Sequence, residues 1–485
     1  MKKPLHFIII NCLLMLAVVS PSGARDRTKT YKNDACKWLD ENSLIFEETA
    51  QKIHEYAETA LLEYKSADCL TSLLEKGGFT IEHGVAGQPT AFIASYGNGH
   101  PVVGILAEYD ALPGLSQVPG ISRKEAVAPG APGHGCGHNL FGTGSIAAAL
   151  ALHEVMAHHS ISGTVKVFGC PAEETVIGKV YMARAGVFDG LDICLTWHPS
   201  AKNRANLSST LAMNSFEVTF HGRTAHGAVD PWNGRSALDA VELMNIGVNY
   251  LREHVKPTVR IHYVIPDGGR APNIVPDYAR VWYYVRDVDR HGVEDVYSRV
   301  LKCAEGAVLM TGTDMEVKLI TGVYNYLPNR TISEVLDKNL REIGPPQFTE
   351  TEQAFAREIQ KELGIAEDGL SEKIEPFREE DTTGSGSTDV ADVSWIVPTG
   401  GELSIAAAPL NAPWHSWVVT SCAGSSMGFK AMHTAAEVIA VSAIDFLVND
   451  DLVGRARKEF IEKTEDFVYR SAVPEGSNPP LPAQK

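Results

Sequence analysis

The chain has 485 residues, of which 44% are apolar and 21% are charged. This length exceeds what one core usually accommodates, so two domains are expected, and the composition excludes a collagen, a coiled coil or an extended disordered chain. The formal net charge of −17 argues against nucleic acid and anionic membranes as partners, because phosphate groups are bound by basic surfaces.

The first 24 residues have the pattern of a secretory signal peptide. Lys2 and Lys3 precede the apolar run FIIINCLLMLAVV, and Ser22 and Ala24 stand where small residues precede a cleavage site. The apolar run is too short for a comfortable membrane span. We therefore expect a protein secreted across the inner membrane, periplasmic if the host is Gram-negative, with no membrane attachment after cleavage.

Seven cysteines lie outside this segment. An odd, scattered set in a large protein does not indicate a disulfide scaffold, and most of these cysteines lie in apolar segments typical of buried strands. Cys36 and Cys69 are the one pair considered as a disulfide, and whether they pair stays open. Cys136 differs because it lies in the glycine-rich sequence GHGCGHN.

Predicted strands alternate with helices over residues 33–210. The sequence DENSLIFEETAQKIHEYAETALLEYKSADCLTSLLEKGG has apolar residues at helical spacing and predicts two helices. Buried strands are predicted in AFIASYG, PVVGILAEYDALPG, GTVKVFGCPAEET and LDICLTWHP, with the apolar helix NLFGTGSIAAALALHEVMAHH among them. This alternation predicts a three-layer α/β catalytic domain with a mainly parallel mixed sheet.

The pattern changes over residues 211–325. AMNSFEVTFHG alternates like a half-exposed strand, and a helix, the strands TVRIHYVI and ARVWYYVRDV, a second helix and MEVKLITGV follow it. This β-α-β-β-α-β order predicts an inserted ferredoxin-like α+β domain. The α/β domain is expected to resume over residues 326–450. A C-terminal extension, 451–485, follows and is predicted to be disordered from about Ser471.

Candidate metal ligands follow several predicted strands of the α/β domain. They are Cys136 and His138 in GHGCGHN, Glu173 and Glu174 in PAEE, His198 in TWHP and His415 in APWHSW. Because the carboxyl ends of strands carry function in such sheets, these side chains are expected to converge. Thiolate, imidazole and carboxylate together suit zinc or another late first-row metal. With one glutamate of the pair as a ligand, five ligands suggest two adjacent metals that share a bridge.

Each motif has a simpler explanation when taken alone. A lone histidine after a strand is more often a hydrogen-bonded loop residue, and two adjacent glutamates often mark a solvated helix start. A redox role for Cys136 is disfavoured, since the sequence has no C-x-x-C motif and no nearby resolving cysteine. Taken jointly, the motifs favour a metal-dependent hydrolase in which one glutamate is a ligand and its neighbour takes a proton from metal-activated water.

The motifs GHGCGHN, PAEE, TWHP, GRTAHGAVDPWNGRSALDA, APNIVPD, STDVADVSW and APWHSW together resemble the amidohydrolase branch of the aminoacylase/carboxypeptidase metallopeptidase family. Within it, the sequence is most similar to the aminobenzoyl-glutamate utilization protein B group. The resemblance covers nearly all of the chain after the signal segment. It implies two divalent ions, zinc or manganese, with Glu173 as general acid/base. The implied ligands are Cys136, His138, Glu174, His198 and His415.

The resemblance also implies roles in the inserted domain, which is similar to the family's lid and dimerisation domain and so implies a homodimer. His226 in TAHG would reach an active site, often that of the partner subunit, and Asn273 in PNIVP would lie near the same oxyanion. Asn139 stands where much of the family has aspartate, so any role of that carboxylate does not carry over. His134 is expected to support the site rather than to bind metal.

The sequence therefore predicts a metal-dependent amidohydrolase acting on a small-molecule amide between an acyl or aroyl group and an amino acid, as in aminobenzoyl-glutamate. A dipeptidase or carboxypeptidase on the same scaffold and a catalytically silent binding protein are the alternatives. A structural zinc protein is disfavoured because such sites are closed by four ligands, usually cysteine-rich. The family's aminobenzoyl-glutamate hydrolases are largely cytoplasmic, whereas this chain is expected to be exported. The identity of its substrate and its need for a companion subunit therefore stay open. Asp389 and the TGSGSTD loop are candidate pocket residues.

Overall fold

A computed structural model of the chain describes residues 21–378, 384, 386–401, 403–465 and 467–482, with the side chains of residues 21–26 excepted. The predicted signal peptide falls largely outside these residues, and the described chain begins with a long helix.

The first part of the α/β domain contains the elements that the alternating sequence pattern predicted. Its helices are α1 (Pro21–Tyr56), α2 (Tyr64–Lys76), α3 (His138–His159) and α4 (Gly178–Arg184). Its strands are β1 (Thr80–His83), β2 (Phe92–Asn98), β3 (Val102–Glu108), β4 (Gly163–Cys170), β5 (Ile193–Leu195), β6 (Trp197–Ser200) and β7 (Arg204–Ala205). Every residue of β3 is buried, which explains why its sequence is a continuous apolar run rather than an alternating one.

A further strand and a set of helices complete this domain after the insertion. They are α7 (Arg330–Ile343), α8 (Glu350–Leu363), α9 (Val390–Ser394), β12 (Leu403–Ala406), α10 (Trp417–Ala423), α11 (Ser426–Leu447) and α12 (Asp450–Thr464), numbered after the elements of the insertion. A five-stranded mixed sheet has the order β1-β2-β4-β3-β5, in which β3 pairs in parallel with both β4 and β5. A three-stranded sheet has the order β6-β12-β7.

The core of the α/β domain lies between these sheets and the helices α1, α3 and α11. A methyl group at Gly142 of α3 would lie 2.6 Å from the carbonyl oxygen of Glu108. Only glycine therefore lets α3 approach the carboxyl end of β3 this closely. This contact brings the first turn of α3, which begins at His138, to the strand ends where function is expected.

The inserted domain has the predicted ferredoxin-like organisation. Its elements are β8 (Ala212–His221), α5 (Ala237–Leu251), β9 (Arg260–Asp267), β10 (Tyr278–Asp287), α6 (Arg290–Thr311) and β11 (Asp314–Val323). The strands form an antiparallel sheet in the order β11-β8-β10-β9, and α5 and α6 pack on it around a separate apolar core. The α/β fold class with an inserted α+β domain is thus confirmed.

The C-terminal residues differ from the prediction of disorder over their described part, 471–482. Val473 is 2% exposed and packs in an apolar cluster with residues of both domains. The guanidinium group of Arg184 donates hydrogen bonds to the carbonyl oxygens of Pro474 and Ser477. The low hydrophobicity of this tail concealed these backbone contacts, which need no apolar side chains.

Two further expectations concern cysteines and membranes. Cys36 and Cys69 are both free thiols, as are the other cysteines of the described residues. Among the described residues, α3 is long and apolar enough to cross a membrane, and the bent pair α11 and α12 passes the same test only as one span across a 96° break. For α3, 83% of the apolar window is buried inside the protein, as expected of a core helix.

Candidate metal centre and active site

The structure brings the predicted ligand residues together at one end of the α/β domain. Cys136 and His138 lie at the start of α3, and Glu173 and Glu174 follow β4. His198 lies in β6, and His415 lies in the loop before α10. The parallel strands β3, β4 and β5 end at the same edge, which is why residues distant in sequence meet there.

Two groups of donor atoms overlap at one thiol. The donor atoms of Cys136, His138 and His198 all lie within 4.8 Å of one another, and so do those of Cys136, Glu174 and His415. The Sγ atom of Cys136 is 3.4 Å from Nε2 of His198, and Nε2 of His415 is 3.4 Å from a carboxylate oxygen of Glu174. The thiol of Cys136 therefore belongs to both groups.

His138 is oriented by a carboxylate that sequence reasoning did not single out. Its Nδ1 atom is 2.8 Å from Oδ1 of Asp110, while the other oxygen of Asp110 accepts a hydrogen bond from the backbone N–H of Glu174 at 2.9 Å. Nε2 of His138 is therefore left to face the site, as expected of a histidine whose second nitrogen is held by a carboxylate. Asp110 stands in the sequence AEYD, where a buried apolar strand ends. This position at a strand end is the signal that could have indicated it.

Glu108, Glu173 and Lys179 form a charged group behind the ligands. Glu108 and Glu173 place carboxylate oxygens 3.4 Å and 3.8 Å from Nε2 of His138. The Nζ atom of Lys179 lies 2.7 Å from Glu108 and 2.6 Å from Asp389, and all three side chains are buried. Asp389, a candidate pocket residue from the sequence, is thus paired with Lys179 instead of lining a pocket.

The electrostatics of the site favour bound cations. Burial raises the pKa of Glu174 to about 8, and burial together with Glu108 raises the pKa of Glu173. Burial, followed by the charge of Glu174, also raises the pKa of the Cys136 thiol. Oε2 of Glu108, Nε2 of His138 and Oε1 of Glu174 are buried without a hydrogen-bond partner. Divalent cations would supply both the missing positive charge and the missing partners, so the donor set fits them.

A cavity of about 360 Å³ opens at these residues and is lined by both domains. Met213, Tyr284 and Arg286 of the inserted domain face Glu173, Glu174 and the histidines across it. Burial lowers the pKa of Arg286, and its Nε atom has no hydrogen-bond partner. Among the described residues no carboxylate pairs with this guanidinium group, although Ser387 lies 3.4 Å from it. Arg286 is a functional candidate that the sequence motifs did not indicate.

His226 and Asn273 lie beside each other in the inserted domain, away from this cavity. The backbone N–H of Gly227 donates to the carbonyl oxygen of Asn273 at 2.9 Å, and His226 forms an antiparallel bridge with Ile274. His226 is exposed. Neither residue is among the described residues that line the cavity of its own chain.

The other polar residues of GHGCGHN face the protein interior. Nε2 of His134 is 3.0 Å from the carbonyl oxygen of Ile53, and burial holds the pKa of this histidine well below its usual range. The amide of Asn139 donates to the carbonyl oxygens of Ala50 and Ala423. Both residues join the glycine-rich segment to neighbouring helices.

The chain is similar to known hydrolases over most of its length. A peptidase dimerisation domain model matches residues 212–308, within the inserted domain. The B subunit of the p-aminobenzoyl-glutamate hydrolase of Escherichia coli (strain K12) is 38% identical over 90% of this chain and 95% of that protein. The Xaa-Arg dipeptidase of Mus musculus is 31% identical over 78% of this chain and 80% of that protein. A dinuclear metal-binding peptidase from the M20 family of Bacillus subtilis has a similar fold, with a TM-score of 0.55, 17% identity, and coverage of 84% of this chain and 99% of that chain.

Proposed function

Because the chain belongs to the M20 metallopeptidase family and is a hydrolase of amide bonds, we propose that it cleaves the amide of an N-acyl or N-aroyl amino acid, such as an aminobenzoyl-glutamate. The observation that carries this proposal is the pair of donor groups that share Cys136, beside the carboxylate of Glu173. The similarity to one of the subunits of p-aminobenzoyl-glutamate hydrolase supports the substrate class.

We propose that two divalent cations, zinc or manganese, occupy these donor groups. The proposed ligands are Cys136, His138, Glu174, His198 and His415. The dinuclear description of the related peptidase from Bacillus subtilis supports two positions rather than one. When bound, the cations would polarise the scissile carbonyl group and lower the pKa of the attacking water.

In this proposal Glu173 moves the protons. Its carboxylate lies 3.8 Å from Nε2 of His138, and burial and the neighbouring Glu108 raise its pKa. A carboxylate at this position can take a proton from water and then deliver it to the departing amine nitrogen. Asp110 contributes indirectly, because it holds His138 and the backbone of Glu174 in place.

Arg286 would select the amino-acid part of the substrate. Its half-buried guanidinium group faces the cavity without a carboxylate partner among the described residues, and a guanidinium group binds a carboxylate through two parallel hydrogen bonds. A substrate with a free α-carboxylate would neutralise this charge. His226 and Asn273 would donate to the oxyanion from the lid of the partner subunit, as preplaced donors.

A dipeptidase is the second candidate, and the similarity to the Xaa-Arg dipeptidase favours it. A free dipeptide has a charged amino group near the scissile bond, whereas an N-acyl amino acid has none.

We also propose that the protein is exported after removal of residues 1–24 and forms a homodimer through the inserted domain, which matches a dimerisation domain model. The Escherichia coli relative is named as one subunit of a hydrolase, which suggests that a companion subunit could also bind this chain.

Chelation and restoration of metal test the proposal on the purified mature protein. Excess chelator should abolish hydrolysis of aminobenzoyl-glutamate and N-acyl amino acids, and added zinc or manganese should restore it with about two ions per chain. Substrates whose α-carboxylate is converted to an amide should be cleaved poorly because they cannot pair with Arg286. Activity that survives complete removal of metal would contradict the metal-dependent mechanism, and preferential cleavage of free dipeptides would favour the dipeptidase.

A further inference from the structure

The turn that carries Glu173 and Glu174 is strained at both ends. Ala172 before it and Val176 after it have φ angles of +57° and +50°, in the left-handed region. This region is unfavourable for residues other than glycine and especially for a β-branched residue such as valine. A methyl group at the following Gly178 would lie 1.8 Å from the carbonyl oxygen of Pro171, so the chain also doubles back tightly. Such a conformation persists only where neighbouring groups hold it.

Three side chains from outside this turn hold it by hydrogen bonds to its backbone. A carboxylate oxygen of the buried Glu63 accepts from the N–H of Ala172 at 2.9 Å. Asp110 accepts from the N–H of Glu174 at 2.9 Å. The hydroxyl group of Thr321 donates to the carbonyl oxygen of Val176 at 2.5 Å. Glu63 and Asp110 belong to the α/β domain, whereas Thr321 lies in β11, the last strand of the inserted domain.

Thr321 lies where the strand departs from regular pairing. The register of β11 against β8 shifts between Leu319 and Thr321, and such irregularities change the direction of a side chain. The Thr321 side chain is fully buried. Val323 of the same strand packs in one apolar cluster with Ala172 and Val176. The end of β11 and the strained turn are therefore one packed unit that joins the two domains.

We propose that Thr321 is a positioning residue that ties the inserted domain to the turn carrying Glu173 and Glu174. Its hydroxyl group holds the left-handed Val176, and the turn between Ala172 and Val176 then fixes the direction of both carboxylates. A change in the position of β11 is transmitted to the base through this bond. The inference rests on the proposed function of Glu173, but the restraint on the backbone exists in the protein without metal or substrate.

Thr321→Val and Thr321→Ser form the matched pair that tests this role. Valine has nearly the same shape but cannot donate a hydrogen bond to Val176, whereas serine keeps the hydroxyl group. We expect Thr321→Val, measured at saturating metal, to lower kcat about tenfold with KM within about twofold of the wild type, because the carboxylates of the turn are displaced while the substrate contacts remain. Thr321→Ser should recover most of kcat. Thr219→Val, in the half-buried part of β8, is the control and should leave kcat unchanged.

Hydrogen exchange of residues 170–178 in the metal-free protein gives a readout that does not depend on activity. Exchange should be faster in Thr321→Val than in the wild type, Thr321→Ser and Thr219→Val. Wild-type kcat and wild-type exchange in Thr321→Val would overturn the proposal, as would an equal loss of kcat in Thr321→Ser. A lower Tm with unchanged kcat would reduce Thr321 to a purely structural role. Absence of amide hydrolysis by the metal-loaded wild type would instead refute the proposed function, while exchange would still test the bond.

Discussion

Asn139 follows His138 in sequence but serves the packing of the helices around the site. Its Nδ2 atom donates to the carbonyl oxygen of Ala50 in α1 at 3.2 Å and to that of Ala423, the last residue of α10, at 2.9 Å. The two hydrogen bonds join the first turn of α3 to α1 and to the end of α10. An aspartate cannot make these two bonds, because an ionised carboxylate only accepts hydrogen bonds.

Asn139→Asp should therefore destabilise the protein. The substitution removes both of these hydrogen bonds and buries a carboxylate beside two carbonyl oxygens, and an unsatisfied buried polar group costs about 1–3 kcal/mol. We expect Tm to fall by several degrees with the metal content of the folded protein unchanged. Calorimetry measures this, with the exposed Asn98→Asp as the control. Equal Tm values for Asn139→Asp and the wild type would show that the carboxylate is accommodated.

The sequence predicted the site residues that belong to recognisable motifs, but it did not indicate those that have no motif around them. Cys136, His138 and Glu174 are marked by neighbouring glycines, histidines or a second acid, and the structure brings them together, although their roles as ligands stay predictions. Glu108 is a single acid at the end of an apolar strand, and nothing local separates such a residue from an ordinary strand end. Asp389 was assigned to a pocket because the pairing of a buried acid with Lys179 is not visible in sequence.

The element α8 shows how one carboxylate joins two helices. Thr349 and Glu352 form a capping box at its start, in which each side chain bonds the other residue's backbone N–H. Glu352 also accepts hydrogen bonds from Ser426 and Lys430 of α11, both at 2.6 Å. The start of α8 is thus fixed by its own cap and by a neighbouring helix.

This arrangement predicts a pH-dependent contribution to stability. Burial opposes charge on Glu352, but the bonds from Lys430 and Ser426 outweigh it and lower the pKa of this carboxyl group from 4.5 to about 2. A group with a lowered folded-state pKa stabilises the protein above its unfolded pKa and loses that effect as the pH falls through the folded value. Glu352→Gln should therefore lower Tm at neutral pH, and the difference from the wild type should shrink between about pH 4.5 and 2.

Thermal unfolding of the wild type and Glu352→Gln across this pH range measures the effect. Glu350→Gln is the matched control, since Glu350 lies in the same first turn and is fully exposed. A Tm difference for Glu352→Gln that stays constant down to pH 2 would show that shape, not charge, is responsible.

Elements with a strong periodic pattern were predictable, whereas contacts of irregular backbone were not. The β-α-β-β-α-β order of the inserted domain follows from alternation in strands such as β10 and from the helical spacing of α5 and α6. The division of the α/β strands into two sheets did not follow, because the short β6 and β12 have no distinguishing pattern. The packing of residues 471–482 combines the side chain of Val473 with main-chain carbonyl groups, which every sequence provides equally.

Within one chain, the two residues proposed to donate hydrogen bonds to the oxyanion do not line the cavity. Arg286 reaches the cavity from the inserted domain of the same chain, but His226 and Asn273 do not line it. His226 is exposed on the domain that matches a dimerisation domain model. In the proposed function, a second copy of the chain docked through this domain would supply these donors.

Complementation between two inactive variants tests this arrangement. Glu173→Gln lacks the base but keeps His226, and His226→Ala keeps the base but lacks the histidine, so each homodimer should be inactive. A heterodimer contains one cavity in which an intact Glu173 meets an intact His226 from the partner. Random exchange of equal amounts makes half of the dimers mixed, each with one competent site, so about a quarter of wild-type activity should return. The rate of amide hydrolysis before and after subunit exchange measures it, with each variant exchanged against itself as the control. Mixed dimers that form but recover no activity would place His226 in its own chain's site, and an active His226→Ala homodimer would place it outside catalysis.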